Sequence, residues 1–103
     1  MDPVKRKLQR LLNEETLRFV RDLQQSAPVT EEAIHAYLTT ARHIRVAITD
    51  LRDRILYLAS AGYLSSHTEW QDGGEMTTYT VTAMGMDLLD GELPPPNWNP
   101  RGA

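Results

Sequence analysis

Leu58-Ala59-Ser60-Ala61-Gly62-Tyr63-Leu64 and, further along the chain, Tyr79-Thr80-Val81-Thr82-Ala83-Met84-Gly85 are the two stretches on which the fold turns. In the first, leucine anchors the end of a helix on the core, Gly62 can take the left-handed conformation that closes it, and the apolar pair Tyr63 and Leu64 opens a strand. In the second, alternating β-formers end a strand at Val81, and Thr82 can cap a last short helix carrying Met84, Leu88 and Leu89, which Gly91 would end. Between them lie a polar stretch with Trp70, the turn Asp72-Gly73-Gly74, and the run Thr77, Thr78, Tyr79, Thr80. Adjacent glycines permit the positive φ angles of a tight turn, so the segment near 63–81 reads as a β-hairpin, followed by a helix near 83–90.

Toward the N-terminus, Ile44, Ile48, Leu51, Ile55 and Leu58 recur at spacings of three and four and predict a helix over 43–61, with Val46 and Leu56 off the main stripe. Thr30 is a good cap for a helix over 31–40, whose stripe is Ala33, Ile34, Tyr37 and Leu38, and Pro28 separates it from what precedes. From 5 to 25 the residues Leu8, Leu11, Leu12, Phe19, Val20 and Leu23 suit an amphipathic helix. Asn13 sits mid-helix or caps a second helix from Glu14, so this region is one long helix or two in sequence. Pro94, Pro95 and Pro96 stop regular structure, and the tail to Ala103 is expected to be extended or flexible unless Trp98 docks.

Three helices, a hairpin and a short closing helix make a mainly α chain with a small β-hairpin. The exit Leu58–Leu64 resembles the "leucine, three residues, glycine, aromatic or aliphatic, leucine" helix end of regulators in the MarR and PadR families. The stretch from Tyr79 to Gly85 is similar to their "tyrosine, x, leucine, threonine, x, x, glycine" ending of the second wing strand. The resemblance implies a winged helix-turn-helix domain over 14–91, preceded by a basic helical extension over 1–13 and followed by a Pro-rich flexible tail over 92–103. It also implies that the third helix enters the major groove of duplex DNA, with Arg42, His43, Arg45, Thr49, Arg52 and Asp53 on its solvent face. The run from Thr30 to Gly62 is longer than the compact helix-turn-helix of those families, so its second helix or its turn must be extended.

Charge placement refines this picture. The chain of 103 residues carries a formal net charge of −3, but the distribution is uneven. Residues 1–12 hold Lys5, Arg6, Lys7 and Arg10 against Asp2, and residues 42–54 hold Arg42, Arg45, Arg52 and Arg54 against Asp50 and Asp53. Only these two segments are net positive and able to attract phosphate. No Lys or Arg lies between Ile55 and Pro100, so the hairpin with Glu69, Asp72 and Glu75 lacks the basic tip that such families press on the DNA backbone. Lys5, Arg6 and Lys7 are therefore candidate phosphate contacts, with a solubilising helix end as the alternative. The alternative to DNA contact by the third helix is a solvated face, with Arg52 and Arg54 partly neutralised by Asp50 and Asp53.

A hydrophobic content of 41% supports one modest core, and the absence of cysteine excludes disulfides and thiolate metal sites. No apolar stretch approaches the roughly 20 residues of a membrane span, so a soluble, cytoplasmic protein without cofactor is expected. His35, His43 and His67 lack the spacing of a metal-binding pair, no metal site is expected, and no motif suggests an enzyme. Leu8, Leu11 and Leu12 extend beyond the helix that the domain needs and point to a homodimer, or else fold back on the same domain. The rival to DNA binding is a protein-interaction module that uses the acidic hairpin around Trp70, a residue whose alternative role is packing beneath the wing.

Overall fold

A computed structural model describes residues 3–91. The tail expected over 92–103, including Trp98, lies outside the described residues.

The first element is one continuous helix, α1 (Pro3–Leu23), which runs through Asn13 without a break. Proline fits its first position, where the missing N–H has no intrahelical partner to lose. Asn13 does not cap anything: it is fully buried in the helix interior, and neither atom of its amide finds a hydrogen-bond partner among the described residues. Its buried neighbour Thr16 is satisfied locally, donating from Oγ1 to the Leu12 carbonyl at 2.8 Å. After the helix frays at Ala27, Val29 is buried and Thr30 caps α2 (Glu31–Thr40), accepting from the Ala33 N–H at 3.2 Å. Glu31 and Glu32 in its first turn complement the helix dipole.

The third helix, α3 (Ile48–Ser60), begins at residue 48 rather than at the expected 43. Beyond α2 the chain curls back instead of starting a new helix. The N–H groups of Ala41 and Arg42 return to the Tyr37 carbonyl, His43 adopts a left-handed conformation with φ of 54°, and the Ile44 N–H donates to the Leu38 carbonyl at 2.7 Å. Ile44 and Val46 still pack against the core, but from this link, and Ile44, four residues before Ile48, thereby imitates the start of a helical stripe. Ala47 precedes α3 without any side-chain cap.

The core gathers Leu17 and Val20 of α1, Ile34 and Leu38 of α2, and Leu51, Ile55 and Leu58 of α3. Each is essentially inaccessible, and fully burying such a side chain is worth about 1.5–3 kcal/mol. Strands β1 (Leu64–Gln71) and β2 (Gly74–Val81) form an antiparallel hairpin in the register Leu64↔Val81 through Gln71↔Gly74. Asp72 and Gly73, with φ of 49° and 78°, make the two-residue turn that right-twisted strands prefer. Leu64 and Val81 at the base of the hairpin enter the core, Tyr79 packs against it, and the Tyr79 N–H donates to the Val29 carbonyl at 2.9 Å.

The short helix α4 (Ala83–Leu89) locks that base. Thr82 Oγ1 donates to the Gly62 carbonyl and accepts from the Gly85 N–H, while the Thr82 N–H donates to the Tyr63 carbonyl at 3.1 Å. A side chain at Gly85 would collide with the Tyr63 carbonyl oxygen and meet Val81 Cγ1 at 2.6 Å. Gly62, with φ of 91°, makes the turn that lets the two stretches meet.

Candidate nucleic-acid interface

Arg42, His43 and Arg45 do not lie on the third helix, as expected, but in the link before it. Arg42 is about half exposed, but its guanidinium is engaged. Its Nε lies 3.2 Å from Oε2 of Glu15 and its Nη2 3.3 Å from Oε1, a fork-to-carboxylate pairing across the sequence. The Glu15 side chain is only 6% exposed, also accepts a long contact from the Tyr37 hydroxyl at 3.5 Å, and has Arg18 at 3.8 Å. Tyr37 is itself fixed by stacking on Phe19, with ring centroids 4.3 Å apart. On the other side of the link, His35 Nε2 meets the Val46 carbonyl at 2.8 Å. Glu15 and His35 therefore hold the link to α1 and α2, a role that their sequence context did not reveal.

The link leaves Arg45 and His43 facing outward. Both are exposed, and among the described residues Arg45 has no ion pair or side-chain hydrogen bond. Thr49 and Arg52 are exposed on α3. Arg52 is not neutralised by Asp50 or Asp53 but by Glu31 at the start of α2, with Nε–Oε1 at 2.8 Å and Nη2–Oε2 at 3.2 Å. This hydrogen-bonded pairing raises the Arg52 pKa above its ordinary value, with the Glu31 charge acting next. Arg54 does not lie on a solvated face: it is 8% exposed, with its guanidinium 5.6 Å over the Tyr57 ring, and it lines a groove together with Asp50 and Asp53.

Lys5, Arg6 and Lys7 occupy the exposed first turns of α1. This end of α1 meets the link across a groove of about 400 Å³, walled by Leu8 and Leu12 on one side and by Ile44, Arg45 and Val46 on the other. Arg45 shares this groove with Asp50, Asp53 and Arg54, and α1 contributes Leu8, Gln9 and Leu12 rather than its basic residues. The three leucines proposed for dimerisation are divided: Leu8 and Leu11 are 52% and 40% exposed, whereas Leu12 is buried in the domain's own core.

The hairpin side of α3 has the opposite character. A concavity of about 350 Å³ runs between α3 and β2, lined by Glu31, Glu32, Arg52, Leu56, Glu75 and Tyr79 among others. Burial, followed by the charges of Glu31 and Glu32, pushes the Tyr79 phenol above its ordinary pKa. Trp70 does not pack beneath the wing; it is 71% exposed and pairs across the strands with Glu75. On the other hairpin face, Glu69 is hydrogen-bonded to His67 at 2.9 Å and to the Gln71 amide at 3.0 Å, which lowers its pKa.

Among the described residues no group of three or more His, Cys, Asp or Glu side chains is placed to hold a metal ion. No described helix is long and apolar enough to cross a membrane.

A helix-turn-helix followed by a two-stranded hairpin, closed at its base by a short helix, defines a winged helix domain. Its fold is similar to that of a solved structure, Bacillus subtilis PadR in complex with operator DNA, with a TM-score of 0.68 and 18% sequence identity over 84% of this chain and 50% of that one. The chain thus spans half the length of that structure. No family model and no curated protein matches the sequence.

Proposed function

We propose that this chain is a cytoplasmic, DNA-binding transcriptional regulator acting as a homodimer. The observation that carries the reading is a winged helix domain with an exposed Arg45 just before its third helix, together with the exposed basic first turns of α1. The similar PadR domain, seen on operator DNA, supports the same use of the fold.

In this reading Thr49 at the start of α3 faces base edges, flanked by Arg45 and His43 from the link, and the Lys5–Arg10 segment contacts phosphate. Arg42 serves the fold, because its guanidinium is engaged by Glu15. Arg52 reaches a base only by leaving Glu31. Phosphate attraction comes from the α1 edge, since the acidic hairpin would repel a DNA backbone.

Binding to mixed duplex fragments, measured across a salt series, tests the proposal. Each phosphate neutralised contributes about −0.9 to the slope of log affinity against log salt. A steep negative slope is expected, and no binding at low salt would overturn the proposal. That second outcome would favour a protein-interaction module, a reading supported by the exposed Trp70 in its acidic surroundings.

A further inference from the structure

Helix α1 presents an apolar stripe that is largely exposed among the described residues. Val4, Leu8 and Leu11, at helical spacings of four and three, are 73%, 52% and 40% exposed. At 100° per residue, Lys5 and Lys7 flank this stripe on either side, whereas Arg6 and Arg10 lie on the opposite side of the helix. The concavity between α3 and the hairpin has complementary chemistry. It offers Leu56, 55% exposed, and the glutamates Glu32 and Glu75. Its one cation, Arg52, is already taken by Glu31. Trp70 lies opposite Glu75 in the register and so projects from the same hairpin face.

These two surfaces hold five of the six large hydrophobic side chains exposed on the described chain: Val4, Leu8, Leu11, Leu56 and Trp70. One is basic at its edges and the other acidic. They cannot meet within one chain. The α1 start lies along the groove bordered by Asp50 and Arg54, which sit on the face of α3 opposite to Arg52 and Leu56. We infer that the concavity between α3 and the hairpin receives the basic, apolar start of α1 from a second copy of this chain, reciprocally. Leu8 and Leu11 of one protomer cover Leu56 and Trp70 of the other, with Lys5 and Lys7 opposite Glu32 and Glu75. A self-complementary contact of this kind closes on itself as a two-fold dimer.

The inference builds on the homodimer proposed above and supplies its second surface. It moves Lys5 and Lys7 from phosphate to carboxylate partners and leaves Arg6 and Arg10 for DNA. A charge exchange tests it, using four exposed positions that leave the core intact. Molar mass is measured by sedimentation equilibrium over a concentration series for the native chain, the Lys5→Glu/Lys7→Glu variant, the Glu32→Lys/Glu75→Lys variant and their equimolar mixture. Circular dichroism and thermal unfolding confirm that each variant is folded.

The native chain is expected to be a dimer, and each variant alone at least tenfold weaker in self-association because like charges then face each other. The mixture should restore a 1:1 heterodimer, since both contacts regain opposite charge. A monomeric native chain would overturn the inference. So would a variant of the concavity that dimerises normally, or a mixture that fails to pair. Mass is the only readout, so the result does not depend on whether the chain binds DNA.

Discussion

Replacing Arg42 by alanine separates a residue that shapes the site from one that touches a ligand. The guanidinium is about half exposed, but the carboxylate it holds is not: the Glu15 side chain is 6% exposed and keeps only Arg18 at 3.8 Å and the Tyr37 hydroxyl at 3.5 Å once Arg42 is gone. Hydrogen bonds to a charged group are worth about 1.5–3 kcal/mol, and a buried carboxylate that loses them carries the cost of desolvation. Water can enter where the exposed half of Arg42 stood, which reduces the loss to about 1–2 kcal/mol. In a domain of this size each kcal/mol lowers Tm by about 4–8 °C, so a fall of several degrees is expected in thermal unfolding at fixed protein concentration. Adding Glu15→Gln should recover part of that loss, because a neutral amide needs no counter-charge. At temperatures where the variant is folded, its DNA affinity should keep the native salt slope. An unchanged Tm together with a slope reduced by about 0.9 would refute this reasoning and restore Arg42 as a phosphate contact.

Arg45→Ala should give the reverse pattern, with stability within about 0.5 kcal/mol of native and a salt slope shallower by about 0.9, measured on the same duplex fragments. Gly85→Ala should destabilise the fold by at least about 2 kcal/mol in urea unfolding, since the added methyl meets the Tyr63 carbonyl and Val81 with no flexible neighbour to yield. His43→Gly should be neutral or stabilising by up to about 1 kcal/mol: the left-handed strain at φ of 54° is relieved, and the greater freedom of glycine in the unfolded chain offsets part of the gain. Glu69 should titrate below the ordinary carboxylate range in NMR. Its hydrogen bonds to His67 and Gln71 favour the ionised form, so their contribution is present above the ordinary pKa and lost as pH falls through the lowered one; His67→Ala should move the titration upward.

The winged architecture was legible because its two deciding stretches carry their own geometry. Gly62 turns, Thr82 binds both neighbours, and Gly85 admits the Tyr63 backbone, so residue identity and local conformation coincide. The start of α3 was not legible. Ile44 and Val46 reach the core from a non-helical link, and Ala47 gives no capping signal, so hydrophobic spacing alone placed the helix too early. The positions of the arginines were lost with it. Pairings such as Arg42 with Glu15 and Arg52 with Glu31 join residues far apart in the chain, and no local pattern distinguishes such an arginine from Arg45, which has no ion pair among the described residues. Asn13 resembled a helix cap because asparagine usually stands at helix ends; its burial inside α1 depends on neighbours that the sequence does not place side by side.

The hairpin is fastened along its lower part, more by β2 than by β1. Thr82, Gly62 and Gly85 clamp the root, the Val81 N–H donates to Gln24 Oε1 at 2.8 Å and the Tyr79 N–H to the Val29 carbonyl at 2.9 Å, while Ser65 through Trp70 are exposed. The portion beyond Tyr79 and its partner Ser66 is thus a cantilever carried by that lower part. Because strand side chains alternate between faces, adding or removing one cross-strand pair would invert the face that Trp70 presents, while two pairs would restore it. Homologues or engineered versions of this domain can therefore vary in wing length, in steps of two pairs, while keeping both the core and the aspect of the tip.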